Sequence, residues 1–523
     1  MNLKAIPQNK VLIIFAILIV GLLLRVYKLD SKSLWYDEAC ALSFTEYNLS
    51  DVPSHRYIAK PVYFLILKPW VSLFGSSESA GRSLSVIFGL VSIFLIYKLA
   101  KILFGRSVGA WSAFILAISP YHIYHSQQLR NYSLFVLLGI LSMFLFVKSL
   151  EKTKNSLYLV FHTLINGLLI YTHPYGIFII IAQSIVLFAQ RKRVKFKRRW
   201  VISQIIVLLC FISLVSVIVT NPKTNEIDYI QKPDLALVLE TFEAFSYGGP
   251  RQAHGGLGFW IDSQRLVVPR ITVFIFLIFC LMGLIPKKKF RKDSDLSSDP
   301  LGGIILILLW LVVPIICAYS FSKIFFPIYI TRYLVASAPA FYIIVARGIS
   351  QMPRLTRQTV IPVVIIFLSV FSLNILYNPQ VKGDWRDGAI FLKERIKKED
   401  AIVFVPLQQI VPFWYYYKYG QKHALKNIDR FGRLVNGKQY REFYDKANFI
   451  TGIELDARQE DIENNFNNLA KNDEDIWLIV SPGWMSQKSL EFTQKYLDEF
   501  YVLKSKSSYS YNGVEILQYS VKN

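Results

Sequence analysis

The chain has 523 residues, 53% of them hydrophobic, and a formal net charge of +23. That apolar content exceeds what a soluble core of this length needs, and Lys and Arg fall in short runs between apolar stretches, as topology signals do; a nucleic-acid partner is therefore excluded as the reason for the charge. The four cysteines, Cys40, Cys210, Cys280 and Cys317, show no C-x-x-C spacing and give no basis for a disulfide framework or a zinc site.

The first apolar run, Val11 to Leu24, follows Lys4 and Lys10 and has no small-residue cleavage site after it, so it reads as a retained span. A membrane helix needs ~20 mostly apolar residues to cross ~30 Å of hydrocarbon. Eleven such segments are expected, near residues 10–29, 83–104, 107–120, 131–150, 156–172, 175–190, 200–220, 267–286, 301–320, 333–350 and 359–377. With the N terminus cytoplasmic, the basic runs 98–106, 148–154, 191–199, 287–292 and 347–357 all fall inside. Residues 30–82, the turns near 121–130 and 172–175, and residues 221–266 and 321–332 are then left outside, with the C-terminal region.

The first outside loop carries SLWYDEACALSF (33–44) and HRYIAKPVYFLILKPW (55–70), two segments that read as helices lying in the membrane interface with Trp35, Tyr36, Tyr63 and Trp70 at headgroup depth. Asp37 and Glu38 are adjacent, and neighbouring positions on a helix point about 100° apart. Only one of them can face a given centre, and Asp37 takes the inward role. The bland alternative is that either acid caps the helix or pairs with a lysine.

Further polar residues gather at the same ends of the spans: His122, His125, Gln127, Gln128, Arg130 and Tyr132 in SPYHIYHSQQLRNYS, Thr172, His173 and Tyr175 in the next turn, and Arg332 and Tyr333 in YITRYL. Ionisable groups at span ends are costly unless paired or facing a wet cavity, so their clustering marks a candidate site. Arg130 and Arg332 would equally reach lipid phosphates by snorkelling. His122, His125 and His173 would form a metal constellation only if Asp37 or Glu38 converged on them.

From about Asn378 the pattern changes to that of a small globular unit. WRDGAIFLKERI (385–396) reads as an amphipathic helix, and residues 401–406, 475–481 and 514–521 as buried strands. Helical patterns near 408–419, 457–471 and 486–499 alternate with them, which predicts an α/β domain. The expected architecture is a polytopic α-helical membrane domain, residues 1–377, followed by a non-cytoplasmic α/β domain, residues 378–523.

The order of LWYDEA (34–39), KPVYF (60–64), GSSESAGRSLS (75–85), FGR (104–106), SP (119–120), RNYS (130–133), TH (172–173), RYLVASAP (332–339) and DWR (384–386) resembles the GT-C glycosyltransferases of the protein mannosyltransferase and lipid A aminoarabinose transferase type. The resemblance implies transfer of one sugar from a polyprenyl-phosphate carrier to a lipid, glycan or protein acceptor, with inversion, on the outer face of a membrane, here a bacterial plasma membrane. It implies Asp37 and Glu38 at the catalytic position and Lys60 at the donor phosphate; Arg130 and Arg332 are expected beside Lys60 because negative charge grows on the leaving phosphate. Tyr36, His55, Tyr63, Arg82, His125, Tyr132, His173 and Tyr333 would line the substrate pocket. The aminoarabinose transferases resemble E-K-P-P where this chain has Ala59-Lys60-Pro61-Val62, so no cofactor is required by the resemblance, and a divalent metal is left open.

Two other classes fit a polytopic chain with charged span ends. A transporter for a lipid-linked glycan would show related halves or broken spans with charge near mid-depth, and a glycan polymerase or ligase would move whole chains. The early acidic loop and the C-terminal α/β pattern favour a single-sugar transferase.

Overall fold

A computed structural model of the protein describes residues 8–45, 60–150, 155–189, 198–220, 230, 232–248, 267–286, 300–377, 384–397, 400–405, 409–419, 449–452, 475–481, 487–509 and 514–521. Helices fall on all eleven predicted segments: α1 (Gln8–Val26), α4 (Glu78–Phe104), α5 (Arg106–Ile118), α7 (Tyr132–Ser149), α8 (Asn155–Thr172), α9 (Gly176–Ala189), α10 (Arg198–Thr220), α12 (Val267–Leu284), α13 (Pro300–Ile324), α14 (Ala338–Ile349) and α15 (Arg354–Leu376). Among the described residues, five helices, α4, α7, α10, α13 and α15, are long and apolar enough to cross a membrane by length and composition alone. The chain is an integral membrane protein. Apolar side chains such as Leu209 and Ile212 on α10 and Phe367 on α15 are more than half exposed, which suits lipid contact and would be costly in water.

Where every neighbour is apolar, helices associate by close packing and internal hydrogen bonds more than by water exclusion. Both devices are present. A Cβ at Gly348 would lie 1.9 Å from the Phe279 carbonyl oxygen and one at Gly283 2.1 Å from that of Ile344, so α12 and α14 touch backbone to backbone. Ser142, Asn166, His162 and Gln183 are joined by buried hydrogen bonds across α7, α8 and α9.

Between α1 and α4 lie two short helices, α2 (Tyr36–Phe44) and α3 (Pro61–Phe74), where the two interfacial segments are expected. Pro61 at the first position of α3 has no N–H to leave unpaired and fixes the helix start immediately after Lys60. The short helix α6 (Pro120–Ser126) follows α5 across Ser119, whose side chain accepts from the His122 N–H. A helix the apolar pattern does not announce, α11 (Leu235–Tyr247), begins at Asp234, whose carboxylate accepts from Leu237 N–H, and ends at Gly248 in the left-handed conformation (φ 93°).

The C-terminal part contains α16 (Trp385–Arg395), β1 (Ala401–Val405), α17 (Ile410–Tyr419), β2 (Phe449–Gly452), β3 (Ile476–Val480), α18 (Gln487–Phe500), β4 (Tyr501–Tyr509) and β5 (Val514–Val521). The sheet order is β2-β1-β3-β5-β4, with β1 parallel to β2 and β3, and β5 antiparallel to β3 and β4. Successive residues of β1 and β3 serve opposite faces. Ala401, Val403, Leu478 and Val480 pack with Leu497 of α18. Ile402, Phe404, Trp477 and Ile479 pack with Trp385, Leu392 and Phe413, in one apolar cluster continuous with the core of the membrane helices. Both faces are covered, which explains why these strands read as unbroken apolar runs. The strands β2 and β4 are not among those expected from the sequence, and the helical pattern at 457–471 lies outside the described residues.

Candidate active site

The first turn of α2 separates the two acids. Glu38, third in the helix, is fully buried, and its Oε2 lies 3.5 Å from the Trp35 N–H at the helix start. Its carboxylate accepts from Arg82 Nε and Nη2, both at 2.9 Å, and from the Leu129 N–H at 3.0 Å. Arg82 spends its remaining donors on the carbonyls of Leu29, Lys32 and Ser33. The helix-end role considered for either acid therefore belongs to Glu38. The polar side-chain atoms of Glu38 and Arg82 are all engaged, joining the 29–38 turn to α4 and to the Leu129 backbone.

Asp37 remains partly open, its side chain 19% exposed, with Arg130 Nη2 3.4 Å from its carboxylate. Around it the other expected residues come together. Arg130 lies over the Tyr132 ring, and Lys60 and Arg332 over the Tyr333 ring at 5.0 and 5.6 Å. Tyr132 and Tyr333 stack with centroids 6.5 Å apart, and His173 packs against Tyr333 at 4.7 Å. Lys60 is lowered to about 8, mostly by desolvation; Tyr132 opposes the shift, Arg130 and Arg332 add to it, and Asp37 opposes it. Three cations thus share one small region with one carboxylate.

His173 is buried and its Nδ1 accepts the Tyr175 N–H at 3.2 Å. Burial first, then the charges of Lys60, Arg130 and Arg332, holds it well below the usual imidazole range. The ring is therefore neutral with its proton on Nε2, a buried donor without a hydrogen-bond partner among the described residues. His125, lowered to about 3 chiefly by burial and then by Arg332, packs among Tyr121, Tyr124 and Tyr132. His122 contacts Arg25 through Nδ1 at 2.7 Å. The three histidines thus serve different neighbours, and among the described residues no three His, Cys, Asp or Glu side chains converge as metal ligands. A divalent ion beside Asp37 would also sit against three cations. Tyr36 and Tyr63 are buried; the Tyr63 hydroxyl bonds Ser85, which donates to the Arg130 carbonyl, so Tyr63 supports the site from behind. His55 lies outside the described residues.

Some supporting residues gave no signal in the sequence reading. Asn131 donates to the Thr172 carbonyl at 2.6 Å and ties the Arg130 turn to the His173 turn. Tyr121 donates to the Thr331 carbonyl at 2.9 Å and anchors the 3-10 turn 331–337 that carries Arg332. Arg25, fully buried in α1, donates to the carbonyls of Leu116 and Ala117 at the end of α5.

The fold has counterparts among solved structures. Residues 52–218 match the family described as dolichyl-phosphate-mannose-protein mannosyltransferase. The structure is similar to ArnT from Cupriavidus metallidurans bound to undecaprenyl phosphate, with a TM-score of 0.58 and 13% identity over 98% of each chain. The chain has the GT-C fold. The oligosaccharyltransferase of Archaeoglobus fulgidus is also similar, at a TM-score of 0.54 and 12% identity, covering 99% of this chain and 74% of that one. The same archaeal enzyme, AglB, in complex with an inhibitory peptide and a dolichol-phosphate, gives 0.50 at 12% identity, with 99% and 74% covered. No curated protein sequence matches the chain. In this fold the acid on α2 and the cations from three other segments stand near the ends of the membrane helices.

Proposed function

We propose that the protein transfers one sugar from a polyprenyl-phosphate carrier to a lipid, glycan or protein acceptor on the non-cytoplasmic face of a bacterial plasma membrane, with inversion at the anomeric carbon. Residues 1–377 form the catalytic membrane domain in this reading, and residues 378–523 a non-cytoplasmic α/β domain. The observation that carries it is the meeting of Lys60, Arg130 and Arg332, through the Tyr132 and Tyr333 rings, beside the partly open carboxylate of Asp37.

Release of the sugar turns a phosphodiester with one negative charge into a monoester with up to two, its second pKa being about 6. Such a leaving group needs no general acid; it needs fixed positive charge where negative charge grows. Lys60, Arg130 and Arg332 supply that charge, and the neutral His173 supplies an N–H donor. Asp37 takes the proton of the acceptor hydroxyl and aligns it behind the anomeric carbon. One carboxylate suffices, whereas glycosidases use two because their leaving group must be protonated.

The decisive experiment supplies purified protein with polyprenyl-phosphate sugars and an acceptor. Release of polyprenyl phosphate that requires the acceptor is expected, and its absence across a broad panel of donor sugars would overturn the reading. Lys60→Ala is expected to weaken donor binding by ~10-fold or more; unchanged affinity, measured by equilibrium binding, would remove Lys60 from the phosphate site. Because the Lys60 charge is present below about 8 and lost above it, donor affinity should fall by up to ~10-fold per pH unit beyond that point. Lys60→Arg, which stays charged, should flatten the fall.

A further inference from the structure

The C-terminal part grips the chain just before the proposed catalytic acid. The Tyr416 hydroxyl accepts the Leu34 N–H at 2.7 Å and donates to Glu78 Oε1 at 2.8 Å. The same Glu78 oxygen pairs with Arg386 Nη2, which also donates to the Asp30 carbonyl at 2.9 Å. Asp384 accepts from the Ser33 hydroxyl at 2.9 Å, and the Arg386 backbone N–H donates to the same hydroxyl at 3.2 Å. Tyr415 donates to the Ser76 carbonyl at 3.0 Å. Leu34 and Tyr416 are both buried, so the hydrogen bond between them is made away from solvent. Residues 30–34 are thus held on one side by Arg82 of α4 and on the other by α16 and α17. Asp37 lies three residues beyond Leu34, in the first turn of α2.

We infer that Tyr416 and Arg386 are positioning residues for the transfer: through Glu78 and the Leu34 N–H they fix the start of α2 and thereby the place of the Asp37 carboxylate. This rests on the reading of Asp37 as the base, and it gives the C-terminal part a task in catalysis beyond covering the sheet. A hydroxyl suits the junction because it accepts from Leu34 and donates to Glu78 at once. None of the hydrogen bonds given above is made to Lys60, Arg130 or Arg332, so their loss leaves the groups proposed for the donor phosphate in place.

The test is Tyr416→Phe, which keeps the ring and removes both hydrogen bonds. It is expected to lower kcat ~10-fold, to leave donor affinity unchanged, to lower the thermal midpoint by no more than a few degrees, and to speed amide exchange over residues 34–39. Unchanged kcat and exchange would overturn the inference, as would a common fall in kcat, donor affinity and thermal midpoint, which marks ordinary destabilisation. Glu78→Gln provides a second variant that keeps the Leu34 contact; the same split with a smaller loss is expected, and no change in kcat or exchange would count against the role. If the wild-type protein transfers no sugar, the function reading fails, and exchange confined to residues 34–39 still decides whether Tyr416 holds the turn.

Discussion

Replacing Asp37 by Asn is expected to lower kcat by more than ~100-fold while donor affinity stays the same or rises. The substitution keeps the size of the side chain and removes only the charge that accepts the acceptor proton. It also removes the anion 3.4 Å from Arg130. The field of Arg130, Lys60 and Arg332 toward a phosphate is then stronger, not weaker. A residue present only to neutralise Arg130 would give the opposite pattern, with donor binding disturbed and turnover per bound donor retained. Single-turnover release of polyprenyl phosphate, measured beside equilibrium donor binding, separates the two. Full activity in Asp37→Asn would remove Asp37 from catalysis.

Helix placement was legible in the sequence because apolar length carries it: each of the eleven predicted segments coincides with a helix within a few residues. Elements that depend on capping or on neighbours were not. The helix α11 is marked by Asp234 at one end and Gly248 at the other, a start and stop signal inside a stretch without a long apolar run. The strand β4, YVLKSKSSY, alternates polar residues on an edge of the sheet, and β2 has four residues; neither has the unbroken apolar run that betrays a strand buried on both faces.

For the site, the sequence supplied residue types at span ends but not their partners. Helical geometry correctly set Asp37 and Glu38 on different sides, yet nothing in the sequence joined Glu38 to Arg82, 44 positions away. That pairing is decided by where the tertiary fold sets the first turn of α2, within reach of Arg82 on α4 and of the Leu129 N–H. Lys60, Arg130, Arg332 and His173 come from four separate stretches of chain, and only the bundle brings their charges within reach of one another. Asn131 and Tyr121 were invisible because their work is done by a single hydrogen bond each to a distant backbone carbonyl. Arg25 sits inside an apolar run as an isolated cation, and that oddity was the one signal that would have exposed it.

Arg82→Ala is expected to be the most destabilising single change in the site, at roughly 3–5 kcal/mol. Arg82 is 1% and Glu38 0% exposed, so the substitution leaves a desolvated carboxylate with the Leu129 N–H as its main remaining support. It also strips the carbonyls of Leu29, Lys32 and Ser33 of their donor. The expected readout is a large drop in the thermal unfolding midpoint in detergent, with loss of activity following from loss of fold. The paired change Arg82→Met with Glu38→Leu removes both charges and should recover part of the loss, because breaking a buried pair costs more than replacing it with apolar side chains. Transfer need not return with stability. The turn that carries Asp37 would still lack the three carbonyl contacts, so a stable but slow double variant is the outcome that identifies Arg82 and Glu38 as the frame of the acid. A wild-type midpoint in Arg82→Ala alone would refute the buried clamp.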